Sequence, residues 1–304
     1  MQSKTNNHIV QGVLLAITAT LLWSGNFIIA RKVSSAISPI SLAFYRWACA
    51  SVVLFPFAYK YLIAELNHVK ANWKILSLIA LTGIALFNTF VYIAGHNTTA
   101  INMALIGTTS SPIFATVMAV LFLKERLGFY RIIGMIICIV GIVLLISKGS
   151  WDTLLSFKFS SGDTWILAGA FAFAVYNILV RKKPIHISSL SFLLIIFIMG
   201  ALMLFPFFIL EQTMVKNTVQ WSSSLIGSIL YLGIGTSVLA FWCWNLAISK
   251  LGAGRTVLFG NLIPIFSTLE AILILGETIT PIHLYSGILV IAGLIIANLT
   301  FKTK

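Results

Sequence analysis

Acidic side chains are the scarcest chemistry in this chain: seven Asp and Glu among 304 residues, against 20 Lys and Arg. Charged residues together make up 9% of the chain, where a soluble domain carries roughly 25%. So few charges cannot cover a water-facing surface of this size. Cysteine is also sparse. Cys49, Cys138 and Cys243 each stand alone in an apolar run, with no CxxC or Cys/His spacing. That spacing suggests neither a metal site nor a disulfide framework, and the three read as small buried hydrophobes. The five histidines are scattered. His8, His68, His186 and His283 fall in tails, connectors or span ends, and only His96 joins a polar stripe. No Ser/His/Asp arrangement and no cluster of acids exists, so the chain is not read as an enzyme. No motif calls for a cofactor. The N-terminus lacks a small-x-small cleavage site, and its first apolar run reads as an uncleaved first span.

What the chain has is grease. Hydrophobic residues make up 59% and the mean hydropathy is +1.02, so lipid must take the place of water. A helix needs about 20 apolar residues to cross about 30 Å of hydrocarbon. Candidate spans lie near 12–30, 39–59, 75–96, 101–123, 131–147, 163–180, 188–210, 224–248, 256–275 and 283–300. The basic residues sit in the short connectors, not on a helix face or in an aromatic-interleaved patch, which argues against nucleic acid as a partner. With the N-terminus inside, fourteen basic residues fall in inside segments and five outside, with Arg46 left within a span. That bias predicts cytoplasmic N- and C-termini. The expected location is a bacterial cytoplasmic (inner) membrane.

The sequence repeats itself. Arg31-Lys32 recurs as Arg181-Lys182, and Phe55-Pro56-Phe57 as Phe205-Pro206-Phe207, both at an offset of 150. Pro112-Ile-Phe followed by Glu125 recurs as Pro264-Ile-Phe followed by Glu277, at an offset of 152. The expectation is an all-α integral membrane protein of ten transmembrane helices in two five-helix repeats, 1–148 and 149–304. An odd number of spans per repeat inverts the second relative to the first, which is the geometry of alternating access.

Gly/Pro-interrupted spans at matching positions are the best sequence pointer to a transport site. Thr108-Thr109-Ser110-Ser111-Pro112 lies in the fourth span, and Gly260-Asn261-Leu-Ile-Pro264 in the ninth. Thr109, Pro112, Asn261 and Pro264 could hold a polar solute, or could mark kinks satisfied by neighbouring helices. Asn88, Tyr92 and His96 form one stripe at i, i+4 and i+8. Shifted by 150, Asn88 and Tyr92 land on Val238 and Trp242, with Asn245 close behind. Trp23 and Asn26 are answered by Phe173, Tyr176 and Asn177. Amides are costly against lipid, so these faces should turn inward as aromatic walls with a few polar groups. Tyr92 and Trp242 could instead be interface anchors. Arg46 and Glu270 lie inside spans at similar depth. They could form a structural ion pair, or bind a substrate carboxylate and couple a proton. Gly134 and Gly141, answered by Gly287 and Gly293, fit helix packing or homodimerisation.

These residues carry a resemblance. Trp23-Ser-Gly-Asn26-Phe and Ser38-Pro39-Ile-Ser-Leu-Ala-Phe-Tyr-Arg46-Trp resemble the opening of the EamA family in the drug/metabolite transporter superfamily. Ser111-Pro112-(x)12-Glu125-Arg-Leu and Ile263-Pro264-(x)10-Leu-Gly276-Glu277-Thr are similar to its two repeat signatures, over about residues 10–300. The first half has Leu123-Lys124-Glu125 where the second has Leu275-Gly276-Glu277, so the halves are not interchangeable. The resemblance implies ten helices, an inverted repeat, cytoplasmic termini, a central cavity and outward carriage of amino acids, other metabolites or drugs. The partners expected are a small-molecule solute and the bilayer. A passive channel and, further off, a membrane-embedded enzyme are the competing readings.

Overall fold

The computed structural model describes residues 2–33, 35–97, 100–124, 128–156, 160–182, 184, 186–214, 219–275 and 281–298. All regular structure among them is helical. Among the described residues six helices are long and apolar enough to cross a membrane: His8–Asn26, Pro39–Ala64, Trp73–Asn97, Ser161–Arg181, Ser189–Met214 and Ser223–Leu251. Shorter apolar helices cover Ile113–Phe122, Phe129–Leu144 and Leu284–Ala297. Local chemistry sets several starts. Pro39 opens its helix at a position where a missing N–H costs nothing. Ser160 and Asp163 form a capping box before Ser161–Arg181. Gly252, at φ 89°, ends Ala240–Leu251 in a conformation other residues avoid. Outward faces expose Val52, Leu121, Leu202 and Ile288, a surface suited to lipid and unsuited to water.

Two helix pairings dominate the packing. Pro39–Ala64 runs along Ser189–Met214, and Phe129–Ile146 along Pro281–Asn298. Gln2–Lys32 packs on Ala240–Leu251 and Ile263–Leu275, while Ser161–Arg181 packs on Phe87–Asn97 and Ala100–Leu123. In the second pairing the glycine stripes meet each other within the chain. A Cβ on Gly134 would fall on the backbone of Gly293 and Ala297, and one on Gly293 would meet the Gly134 carbonyl and Cys138. Gly287 has open space where its Cβ would be.

The first pairing is locked at both ends by acids. Glu65 accepts from the backbone N–H (2.9 Å) and hydroxyl (3.1 Å) of Ser188. Glu211 accepts from the N–H groups of Ile40 (3.1 Å) and Ser41 (2.7 Å) and from the Ser41 hydroxyl (2.7 Å). Each long helix thus has its N-terminal N–H groups and positive dipole end capped by the carboxylate from its partner's C-terminal end. Glu65→Ala and Glu211→Ala should each lower stability by roughly 1–3 kcal/mol, and nearly additively, because the caps are at opposite ends of the pair. Thermal unfolding of the purified variants checks this; unchanged melting would remove the caps from the account.

Candidate solute-binding cavity

Two π-helical segments shape the site. Leu81–Leu86 and Tyr231–Leu239 interrupt otherwise α-helical spans. They begin 150 residues apart and each carries a Gly-Ile pair, Gly83-Ile84 and Gly233-Ile234. Both glycines are points of close approach: Gly83 lies against the Tyr176 ring, and Gly233 against Cys49 and the Arg46 carbonyl. The wider turn alters which groups are offered to neighbours. The Ser237 hydroxyl reaches back five residues to the Leu232 carbonyl (2.8 Å). The Thr236 carbonyl accepts from the Trp23 indole (2.8 Å) and the Arg46 guanidinium (3.4 Å).

Arg46 is the centre of the site. It is 1% exposed, yet lines a narrow cavity walled by Trp23, Phe87, Phe173, Phe241 and Trp244. Its Nε donates to Ser237 Oγ at 2.7 Å. One terminal nitrogen donates to Asn26 Oδ1 (3.0 Å), Asn88 Oδ1 (2.8 Å) and the Tyr92 hydroxyl (2.7 Å). Its carbon sits 4.8 Å from the Trp47 ring centroid, in reach of a cation–π contact. Every one of these partners is neutral. A guanidinium stays ionised, so a full positive charge remains at the cavity wall. Beside it, Asn88 spends its carbonyl on Arg46, and its buried Nδ2 has no hydrogen-bond partner among the described residues. Buried polar groups are seldom left so. Both Arg46 and Asn88 line the cavity, which sets a positive charge and an amide donor on the same wall.

Behind the aromatic wall lies a second polar layer. The Trp244 indole donates to Asn177 Oδ1 (2.8 Å), and the Tyr176 hydroxyl to Asn245 Oδ1 (2.8 Å). Asn177 and Asn245 each return an amide proton to a carbonyl of their own helix, Phe173 and Phe241. These bonds fix ring orientations without touching the cavity.

The structure brings together Trp23, Asn26, Arg46 and Asn88 on the wall, with Tyr92 directly behind. Trp242 is a correction. It is 40% exposed and faces outward; Trp244 takes the inward place. The offset of 150 that relates Phe55-Pro56-Phe57 to Phe205-Pro206-Phe207 has become 152 by Pro112 and Pro264, and at 152 Tyr92 falls on Trp244, not Trp242. The spacing Phe241-x-x-Trp244-Asn245 is a helical face that marks the correct residues. Asn261 and Pro264 are buried behind the wall, where Gly260 and Ile263 line it. Ser111 lines it from the other kinked segment. The side chains of Thr109 and Pro112 lie outside the described residues. Arg46 and Glu270 do not share a hydrogen bond. Glu270 is half-buried and accepts from the Ser24 hydroxyl, while the Ser267 hydroxyl donates to the Ser24 carbonyl at 3.0 Å. The two ionisable groups therefore grip one turn of the first helix from different sides, through Asn26 and Ser24.

Comparison with known proteins places this geometry. The model of the EamA-like transporter family matches twice, over residues 10–147 and 160–299. The chain belongs to the EamA-like transporter family. An "uncharacterized transporter" of Archaeoglobus fulgidus is 29% identical over 294 residues, 96% of each chain. A "probable amino-acid metabolite efflux pump" of Salmonella typhimurium is 24% identical, covering 95% of each chain. A "probable terminal-alkyne amino-acid exporter" of Streptantibioticus cattleyicolor is 25% identical over 188 residues, 62% of this chain and 61% of that one. A solved crystal structure shares the fold, with a TM-score of 0.75 at 19% identity, over 94% of this chain and 96% of the other. This EamA-like protein is an integral membrane transporter, not an enzyme.

Proposed function

We propose that the protein is a secondary carrier that exports a small amphipathic metabolite bearing a carboxylate, an amino acid or a close relative, across the bacterial cytoplasmic membrane. The observation that carries this reading is the positive charge of Arg46, held by neutral partners among the described residues, beside an Asn88 amide that donates to none of them, on an aromatic wall. A carboxylate accepts from both, and Trp23, Phe173 and Trp244 take the apolar remainder. The names of the Salmonella and Streptantibioticus relatives point to the same chemical class.

The carrier works by alternating access in two inverted five-helix repeats, 1–148 and 149–304, with cytoplasmic termini. The packing supports this. Repeat-equivalent helices pair with each other (39–64 with 189–214, 129–146 with 281–298), and the neighbours of 2–32 correspond to those of 161–181. Such an arrangement offers two near-equivalent states open to opposite sides. The ratio of fourteen to five basic residues supports the orientation. Cysteine labelling at Asn217 from outside and at Lys304 from inside reads it directly. Counterflow in proteoliposomes tests the carrier itself: solute on the far side accelerates entry through a carrier, whereas a channel shows no such acceleration.

Glu270 supplies the coupling carboxylate, acting on the cavity through the turn it shares with Asn26. Glu270→Gln is expected to abolish accumulation driven by a pH gradient while leaving binding and exchange largely intact. A variant with normal yield and normal uphill transport would remove Glu270 from the mechanism.

A further inference from the structure

A second charged site lies away from the cavity. The starts of the helices Gln2–Lys32 and Phe129–Ile146 and the ends of Ser161–Arg181 and Ala240–Leu251 converge at one end of the molecule. Between them opens a pocket of about 410 Å³ lined by Arg131, Arg181, Lys250 and Arg255. Among the described residues no carboxylate lines it. Arg181 donates to the Ile248 carbonyl at 3.1 Å. Lys250 Nζ lies 2.9 Å from Gln11 Oε1 and 3.3 Å from His8 Nδ1. These partners are neutral acceptors, or at most a histidine, so they orient Arg181 and Lys250 without cancelling the charge of either.

Like charges gathered in one pocket repel; a cytoplasmic position accounts for their sign but not for their meeting in one pocket. At the offset of 152, Lys250 and Arg255 correspond to Thr98 and Met103. Those two cations have no counterpart in the first half. Arginine forks with a lysine point charge suit the tetrahedral oxygens of a phosphate, and basic pockets between membrane helices hold anionic head groups. The rim favours a lipid over a soluble phosphate. Val10, next to Gln11, and Phe129 and Ile132, on the helix that carries Arg131, are exposed and apolar, so this end of the molecule offers surface to acyl chains.

We propose that this pocket binds the phosphate of an anionic phospholipid. The test is native mass spectrometry of the full-length protein offered equal phosphatidylglycerol and phosphatidylcholine, with free glycerol phosphate as competitor. Phosphatidylglycerol should be retained preferentially, and the preference should fall about tenfold in the Lys250→Gln, Arg255→Gln double variant. Free glycerol phosphate at millimolar concentration should not displace it. Equal retention of both lipids by the wild type, or an unchanged preference in the double variant, overturns the proposal. Displacement by glycerol phosphate overturns the lipid as the source and assigns the site to a soluble phosphate. Should the double variant not fold, the wild type decides alone: the preference must weaken as salt is raised, and a salt-independent preference contradicts an electrostatic site.

Discussion

Arg46→Gln is expected to abolish transport. The loss has two parts. A charge-assisted contact with a carboxylate is worth roughly 1.5–3 kcal/mol, so solute affinity should fall at least about tenfold. The change also strips a donor from Asn26, Asn88, Tyr92 and Ser237, all buried or nearly so, and orphaned acceptors cost about 1–3 kcal/mol each where water cannot reach them. Melting temperature should therefore drop as well. Arg46→Lys separates the two parts. It keeps the charge but loses the planar fork, so it should fold better than Arg46→Gln and still bind solute more weakly than the wild type. Ligand-dependent melting of the three proteins side by side reads both effects. Wild-type affinity in a folded Arg46→Gln protein would take Arg46 out of the solute site.

Gly134→Leu is expected to cost most of the folded protein. The helices Phe129–Ile146 and Pro281–Asn298 touch backbone to backbone at Gly134 and Gly293. A leucine there cannot be absorbed by a side chain moving aside; the helices must separate. Overpacking typically costs about 1–3 kcal/mol, and backbone displacement along a whole helix pair lies at the top of that range or above it. Gly293→Leu should behave alike. Gly287→Ala is the control: its Cβ would meet open space, and alanine is the better helix former by about 1 kcal/mol. Fluorescence-detected size exclusion of the three variants gives the comparison. A well-folded Gly134→Leu protein would show that this interface yields more easily than its geometry says.

Much of this architecture is legible in the sequence because the bilayer imposes a coarse rule. Apolar stretches of span length must be helices, and the positions of Arg46, Asn26, Asn88 and Tyr92 on such helices force their polar groups inward to meet. What the sequence conceals is register. Trp242 and Trp244 differ by two residues, the same two by which the repeat offset grows from 150 to 152, and where along the chain that shift falls decides which tryptophan answers Tyr92. The acids at 65 and 211 are also legible in principle, since two of only seven acidic residues stand at the ends of repeat-related helices. Nothing in composition says that each reaches across to cap the other's start. Similar depth for Arg46 and Glu270 invites a direct pair. Helical rotation instead aims them at opposite sides of one turn, a three-dimensional fact that depth along a sequence does not contain.

Reception of a carboxylate by Arg46 and Asn88 is tested most directly by counterflow in proteoliposomes. The probes are an amino acid the wild type carries and its carboxamide, matched in side chain and size. The amino acid should exchange, and the carboxamide, which lacks the anion for the guanidinium, should exchange at least about tenfold more slowly. In Arg46→Lys that gap should narrow. Equal exchange of acid and amide by the wild type would contradict the account, because the buried charge would then have no part in recognising what the protein carries.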